Sequence, residues 1–299
     1  MMRAAYPRHE GCPATGYLVV PLSGRLGDAG GSRTGRRGRG EDVVANGTEW
    51  SGDEHRVAAE LAREAGVVLV DLRSGDLKGK ELGSEGDRRS HRLLMGRLAE
   101  RFPDDRVRSE EADQSEALGP ETGRVWIVDP LDGTREYSEG REDWAVHVAL
   151  AVDGEPVVGA VALPAIGAVL DTGSPPALAP ARSVPRLVVS RTRPPDFVPF
   201  VAERLGAETV PMGSAGAKIA AVIRGAAEVY VHAGGQYEWD SAAPVAVALA
   251  MGLHASRLDG SRLRYSQPDP WLPDLVVCHP SLTVDVMGAL AAAGASLQR

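Results

Sequence analysis

The run Val125-Trp126-Ile127-Val128-Asp129-Pro130-Leu131-Asp132-Gly133-Thr134 decides how this chain folds. Four apolar residues in succession read as a strand. Pro130 lacks an N–H and ends ladder pairing, and Gly133 permits the tight turn that follows. The chain therefore bends back at the strand's carboxyl end, where α/β proteins commonly place ligands, and aims Asp129 and Asp132 at one point. Two carboxylates held that close repel unless a cation joins them, and oxygen-only ligands suit Mg²⁺. The plain alternative is an Asp-Gly turn with Asp129 capping a loop. Five specified positions arise by chance in roughly one chain of this length per ten thousand, which weighs against it. An EF-hand is excluded, because Leu131 and Gly133 occupy positions where its loop needs acids.

Upstream, Val57, Leu61, Ala65, Val68, Leu69 and Leu72 recur at helical spacing and predict a first helix from Asp53 to about Arg73. Gly75 to Gly83 reads as a Gly-rich loop. A second helix is expected over Asp87–Phe102, ended by Pro103. Strands are expected at Val125–Asp129, Ala145–Val152, Val157–Leu163 and Leu187–Ser190, with Asp153-Gly154 as a hairpin turn. Beyond them, helices at Ser214–Arg224, Ser241–Met251 and Leu282–Ala293 alternate with strands at Glu228–His232 and Leu275–His279. Leading helices, a meander and then alternating elements point to an α+β, layered architecture. The expected organisation is a Gly/Arg-rich leader over 1–50, an N-terminal α+β part over 51–185 and a C-terminal α/β part over 186–299.

Three further segments carry candidate chemistry. Glu110-Glu111 follows the strand-like Arg106–Arg108, although acidic pairs are usually solvated. Asp240, in Tyr237-Glu238-Trp239-Asp240-Ser241, sits where a helix N-cap belongs, or is a metal ligand brought from a distant segment. Gly213-Ser214-Ala215-Gly216-Ala217-Lys218 opens another helix with small residues, so that backbone N–H groups can approach a phosphate. Lys218 is one of three lysines against thirty arginines, which hints at a point-charge role.

Bulk properties narrow the field. The chain has 299 residues, 43% hydrophobic and 25% charged, which excludes wholesale disorder and a membrane bundle. A net charge of −8 argues against non-specific binding to nucleic acid or an anionic membrane. Cys12 and Cys278 are the only cysteines, so a disulfide framework and a cysteine zinc site are not expected. The environment is read as reducing and cytoplasmic. Met1 to Asp42 holds seven Arg against four acids; a disordered leader is expected, with a basic tether to nucleic acid or membrane as the alternative.

Taken in order, Glu110-Glu111, Asp129-Pro-Leu-Asp-Gly-Thr134, Ser214-x-Gly216 and Trp239-Asp240-x-Ala-Ala243 resemble the inositol monophosphatase superfamily of Mg²⁺-dependent phosphatases. The resemblance runs from about Asp53 to the C-terminus. It implies that superfamily's layered α-β-α-β-α sugar-phosphatase fold. Thr134-Arg135-Glu136-Tyr137 is similar to the variant found in CysQ-type 3′(2′),5′-bisphosphate nucleotidases. Pro244, where many relatives carry Gly, and Gly86 depart from the usual pattern.

The resemblance implies two or three Mg²⁺ per site, held by Glu110, Asp129, the Leu131 carbonyl, Asp132 and Asp240. Glu110, Thr134 and Asp87 are the implied catalytic residues, with Thr134 and Asp87 helping to deprotonate the attacking water and Asp87 also available to a third Mg²⁺. Gly133, Thr134 and Ser214 would cradle phosphate, while Ser190, Arg191, Lys218, Gln236 and Tyr237 would line the leaving-group pocket. The implied activity is hydrolysis of the 3′-phosphate of 3′-phosphoadenosine 5′-phosphate to AMP, and of the corresponding phosphosulfate, with no covalent intermediate. The substrate is a small phosphorylated nucleotide or sugar, and a homodimer is left open. An inositol-1-phosphate or fructose-1,6-bisphosphate phosphatase is the alternative within the same chemistry, and a catalytically silent metal-dependent binding protein the alternative outside it. Alanine at Asp129 or Asp132 is expected to abolish turnover and leave folding largely intact, because repelling carboxylates are removed.

Overall fold

The strand that carries Asp129 and Asp132 is β2 (Arg124–Asp132), and its two faces organise the molecule. The computed structural model describes residues 52–112 and 123–294; the expected leader over 1–50 lies outside the described residues. Val125 and Ile127 point into one apolar core, Trp126 and Val128 into another. This period-two alternation with no exposed face is what a fully covered central strand requires.

The first sheet runs in the order β1-β2-β3-β4-β5, built from β1 (Arg106–Ser109), β2, β3 (Ala145–Val152), β4 (Glu155–Leu163) and β5 (Ala168–Asp171). Only β1 and β2 are parallel; the others are antiparallel neighbours. Asp153 and Gly154 both have positive φ (49° and 81°), the two-residue turn whose twist matches a hairpin. Helices α1 (Gly52–Ser74) and α2 (Gly79–Arg101) cover one face, with Val57, Leu61, Ala65, Leu69 and Leu72 of α1 buried there, and the short α3 (Thr134–Ser138) follows β2.

The second sheet has the order β7-β6-β8-β10-β9, from β6 (Arg186–Ser190), β7 (Glu208–Met212), β8 (Val229–Tyr237), β9 (His254–Ser256) and β10 (Trp271–Cys278). Helices α5 (Ala215–Ile223) and α6 (Glu238–Ala250) pack in one core with side chains of both sheets. On the far side α4 (Val198–Leu205) and α7 (Thr283–Ala292) close a third core. The order of layers is thus α1/α2, sheet, α5/α6, sheet, α4/α7, the five-layer α-β-α-β-α arrangement. No described helix is long and apolar enough to cross a membrane.

Two helix boundaries differ from the sequence reading. Helix α2 begins at Gly79 rather than Asp87, so the expected glycine loop shrinks to residues 75–78. Gly83 and Gly86 are there for close packing: a Cβ on Gly83 would lie 2.6 Å from Ser138 Oγ, and one on Gly86 3.0 Å from Leu131 Cδ2. Helix α6 begins at Glu238 rather than Ser241, its first N–H donating to the Pro270 carbonyl at 2.9 Å. Asp240 is consequently the third helical residue and not the N-cap, which is Tyr237.

Candidate active site

Parallel pairing of β1 with β2 is what brings the first acids together. The register places Ser109 beside Val128, so the next residues, Glu110 and Asp129, follow side by side where the β1–β2 pairing ends. Glu110 is exposed as a residue, yet its carboxyl hydrogen-bonds that of Asp129. Pairing of β2 with β3 lapses between Asp129 and Asp132, where Pro130 sits. The freed backbone is held locally: Leu131 N–H donates to Asp129 Oδ1 at 3.0 Å, and Ser90 Oγ donates to the Pro130 carbonyl at 2.6 Å. Gly133 then takes φ +85°, and a Cβ there would lie 2.9 Å from that of Ser214, so a side chain is excluded on two counts.

Asp240 comes from the start of α6, its carboxylate accepting the Tyr237 N–H at 2.6 Å. Asp129, Asp132 and Asp240 each present an oxygen within 4.8 Å of the others. Burial, joined by repulsion from Asp132 and Glu110, pushes the Asp240 carboxyl up to about 7. Glu110 is likewise pushed to about 7 by burial and by Asp87, Asp132 and Glu111. Asp129, enclosed among Glu110, Asp132 and Asp240, is driven well above the usual carboxylate range, first by burial. Such a set is relieved by protons or by a hard divalent cation, and its all-oxygen donors fit Mg²⁺ or Mn²⁺.

Beside this cluster, Thr134 Oγ1 lies 3.2 Å from Asp87 Oδ1 and 3.1 Å from the Leu131 carbonyl. Asp87 is raised to about 7 by burial and by Glu111, a shift the Thr134 hydrogen bond opposes.

The expected phosphate cradle at α5 has another occupant. Ser214 Oγ, Ala215 N–H and Gly216 N–H all donate to the Asp132 carboxylate, the two amides at 3.2 and 2.6 Å. The positive end of α5 thus fixes an aspartate. Lys218 is buried, and its Nζ donates to the carbonyls of Gly213 and Ser214 and lies 5.4 Å from the Tyr230 ring centroid. Its charge is spent on the turn that carries Ser214, and burial pulls its pKa down.

Ser190, Arg191, Ser214, Lys218, Gln236 and Tyr237 do line one cleft of about 670 Å³, together with Gly133, Asp132 and Asp240. Arg191 is already engaged there, at 2.7 Å from both Glu136 and Glu139. Tyr237 is exposed and stacks on Trp239, ring centroids 4.8 Å apart and planes 12° from parallel.

Sequence reasoning missed the polar residues beneath the cluster. His147 is fully buried, its Nδ1–H donating to the Trp239 carbonyl at 2.9 Å, with Nε2 3.5 Å from Asp132 Oδ2. A Cβ on Gly216 would meet His147 Nε2 at 1.8 Å, so that glycine makes room for the ring. Arg108 and Glu238 form a buried pair at 2.5 Å.

The chain is 47% identical over 250 residues to the 3′-phosphoadenosine 5′-phosphate phosphatase of Mycobacterium leprae, covering 78% of this chain and 92% of that one. It is 29% identical to the 3′(2′),5′-bisphosphate nucleotidase CysQ of Salmonella typhimurium, over 71% of this chain and 94% of that one. Among solved structures, inositol monophosphatase-II of Staphylococcus aureus superposes with a TM-score of 0.69 at 22% identity, covering 79% of this chain and 92% of that one. Residues 53–292 match the inositol monophosphatase family, and the chain belongs to it.

Proposed function

We propose that this protein is a Mg²⁺-dependent phosphatase that removes the 3′-phosphate of 3′-phosphoadenosine 5′-phosphate, giving AMP, and acts also on the corresponding phosphosulfate. The cluster of Asp129, Asp132 and Asp240, with Glu110 hydrogen-bonded to Asp129 and with Asp132 and Asp240 on the wall of a cleft of about 670 Å³, carries this reading. The activity named for the mycobacterial relative at 47% identity supports the choice of substrate.

Glu110, Asp129, Asp132, Asp240 and the Leu131 carbonyl would hold two Mg²⁺, with Asp87 available to a third. When bound, the cations neutralise the ester dianion, acidify water and stabilise the departing oxygen. The protein's own contribution begins with Thr134. Its single hydroxyl proton can go to Asp87, which leaves an oxygen lone pair free to accept a proton from the attacking water. Asp87 near 7 is a base matched to neutral pH, where an ordinary aspartate would be too weak. Gly133 and Thr134 would contact the scissile phosphate, and Asp132, locked by three donors, keeps its oxygens pointed at the same place. Ser190, Arg191, Gln236 and Tyr237 would receive the nucleoside. The buried Cys278 thiol, raised to about 11, stays protonated and inert.

Phosphate release from the bisphosphonucleotide, inositol 1-phosphate and fructose 1,6-bisphosphate, each with and without Mg²⁺, tests this. The expected order puts the bisphosphonucleotide first, with no turnover after chelation. A clear preference for inositol phosphate would move the chain to the other branch of its family.

A further inference from the structure

Arg108 and Glu238 are two charges removed from water, and among the described residues the other arginine–carboxylate pairs are more exposed. Their side chains are 4% and 0% exposed, and Arg108 NH1 donates to Glu238 Oε2 at 2.5 Å. The second nitrogen of Arg108 donates to the Gln267 carbonyl at 2.7 Å, and Glu238 Oε1 accepts the Gln267 N–H at 2.7 Å. The pair is thus closed through one residue of the loop that precedes β10 (Trp271–Cys278). Burying such a pair costs several kcal/mol of desolvation per ion, which apolar residues of similar volume would avoid. Its retention calls for a reason other than stability.

Position supplies the reason. Arg108 lies two residues before Glu110, and Glu238 two residues before Asp240. Strand β1 has four residues and a single strand neighbour, β2, so pairing alone fixes its Glu110 end weakly. Helix α6 belongs to the layer on the other side of the first sheet from α1 and α2. The ion pair is a direct side-chain link between the segment that delivers Glu110 and the helix that delivers Asp240. A guanidinium is a planar, pre-organised fork, so it transmits a fixed distance better than a flexible ammonium.

We propose that the Arg108–Glu238 ion pair is a positioning strut that sets the spacing of Glu110 and Asp240, and so the affinity of the acidic cluster for divalent cations. The strut touches neither cation nor substrate. It rests on the reading of that cluster as a metal site, and the test separates the two.

Mn²⁺ binding to the full-length protein, followed by calorimetry without substrate, is the primary readout, with thermal unfolding measured alongside. Replacing both partners (Arg108→Leu with Glu238→Leu) removes the charges together and spares the fold the cost of an unpaired buried ion. The double variant is expected to unfold cooperatively and to bind Mn²⁺ about tenfold or more weakly, the usual cost of losing a group that orients a ligand. Arg108→Lys keeps the charge but not the fork, and should fall between wild type and the double variant. It also decides the matter if the double variant fails to fold. As a control, Asp105→Asn breaks the Arg124–Asp105 pair, at the opposite end of β1 and β2. That change should lower the melting temperature and leave Mn²⁺ affinity alone. Wild-type affinity in a folded Arg108 variant would overturn the strut. Absence of Mn²⁺ binding in the unaltered protein would instead overturn the metal site itself.

Discussion

Asp129 and Asp132 stand on one turn and have opposite surroundings. Asp129 faces carboxyls, hydrogen-bonded to Glu110 and near Asp132 and Asp240, with the Leu131 N–H at 3.0 Å as its backbone donor. Asp132 receives Ser214 Oγ and the N–H groups of Ala215 and Gly216. One is destabilised by its neighbours, and the other caps a helix.

Alanine at these two positions should therefore act alike on turnover and differently on stability, which revises the expectation that either change is harmless to the fold. Asp129→Ala relieves repulsion, and in EDTA-treated protein its melting temperature should match or exceed the wild type's. Asp132→Ala leaves three donors without their acceptor, two of them buried, and should cost about 1–3 kcal/mol. Both should abolish Mg²⁺-dependent phosphate release. Calorimetric scans of the two variants in EDTA check the contrast, and equal melting temperatures would show that the Asp132 contacts contribute nothing.

The raised acids also fix the pH response. Asp87, Glu110 and Asp240 hold protons up to about pH 7 when no cation is present, against ordinary values near 4 in the unfolded chain. The native state then binds more protons than the unfolded state between these limits, so stability falls as pH rises through that window. EDTA-treated protein should melt at least about 5 °C lower at pH 8 than at pH 5, the equivalent of roughly 2 kcal/mol in a chain of this size. Mg²⁺ replaces the protons as counter-charge, so its stabilising effect should be largest at pH 8 and smallest at pH 5. Melting curves over pH 5–8 with EDTA or Mg²⁺ measure both trends, and a stability that rises with pH in EDTA contradicts the burial of these groups.

How far the sequence could be read follows from what its patterns encode. Val125–Thr134 was legible because alternation, proline and glycine act locally: the strand, the lapse in pairing at Pro130 and the positive φ at Gly133 all follow from neighbouring residues. Gly83 reads as loop because a glycine kept for contact with Ser138 looks the same in sequence as one kept for a turn. Strand β7 went unnoticed since it is largely exposed and contains Pro211, features that argue against a strand until its edge position is known. Arg108, His147 and Glu238 were invisible as site residues, because their burial depends on segments far apart in the chain.

Tyr237 joins the site by two independent routes, which makes it a clean test of substrate choice. Its backbone N–H holds Asp240 at 2.6 Å, and this survives any change of side chain. Its ring lies on Trp239, is exposed and borders the cleft, so its outer face is free to take a flat base. Stacking of a base on an aromatic ring contributes about 1–3 kcal/mol, which corresponds to roughly 5–150-fold in affinity. Tyr237→Ala should raise KM for the bisphosphonucleotide at least about fivefold with kcat little changed, while Tyr237→Phe stays near wild type. Turnover of inositol 1-phosphate, which has no base, should be the same in all three proteins. Steady-state kinetics on both substrates decide this: parallel losses on each would mean that the ring supports Asp240 instead of the nucleotide.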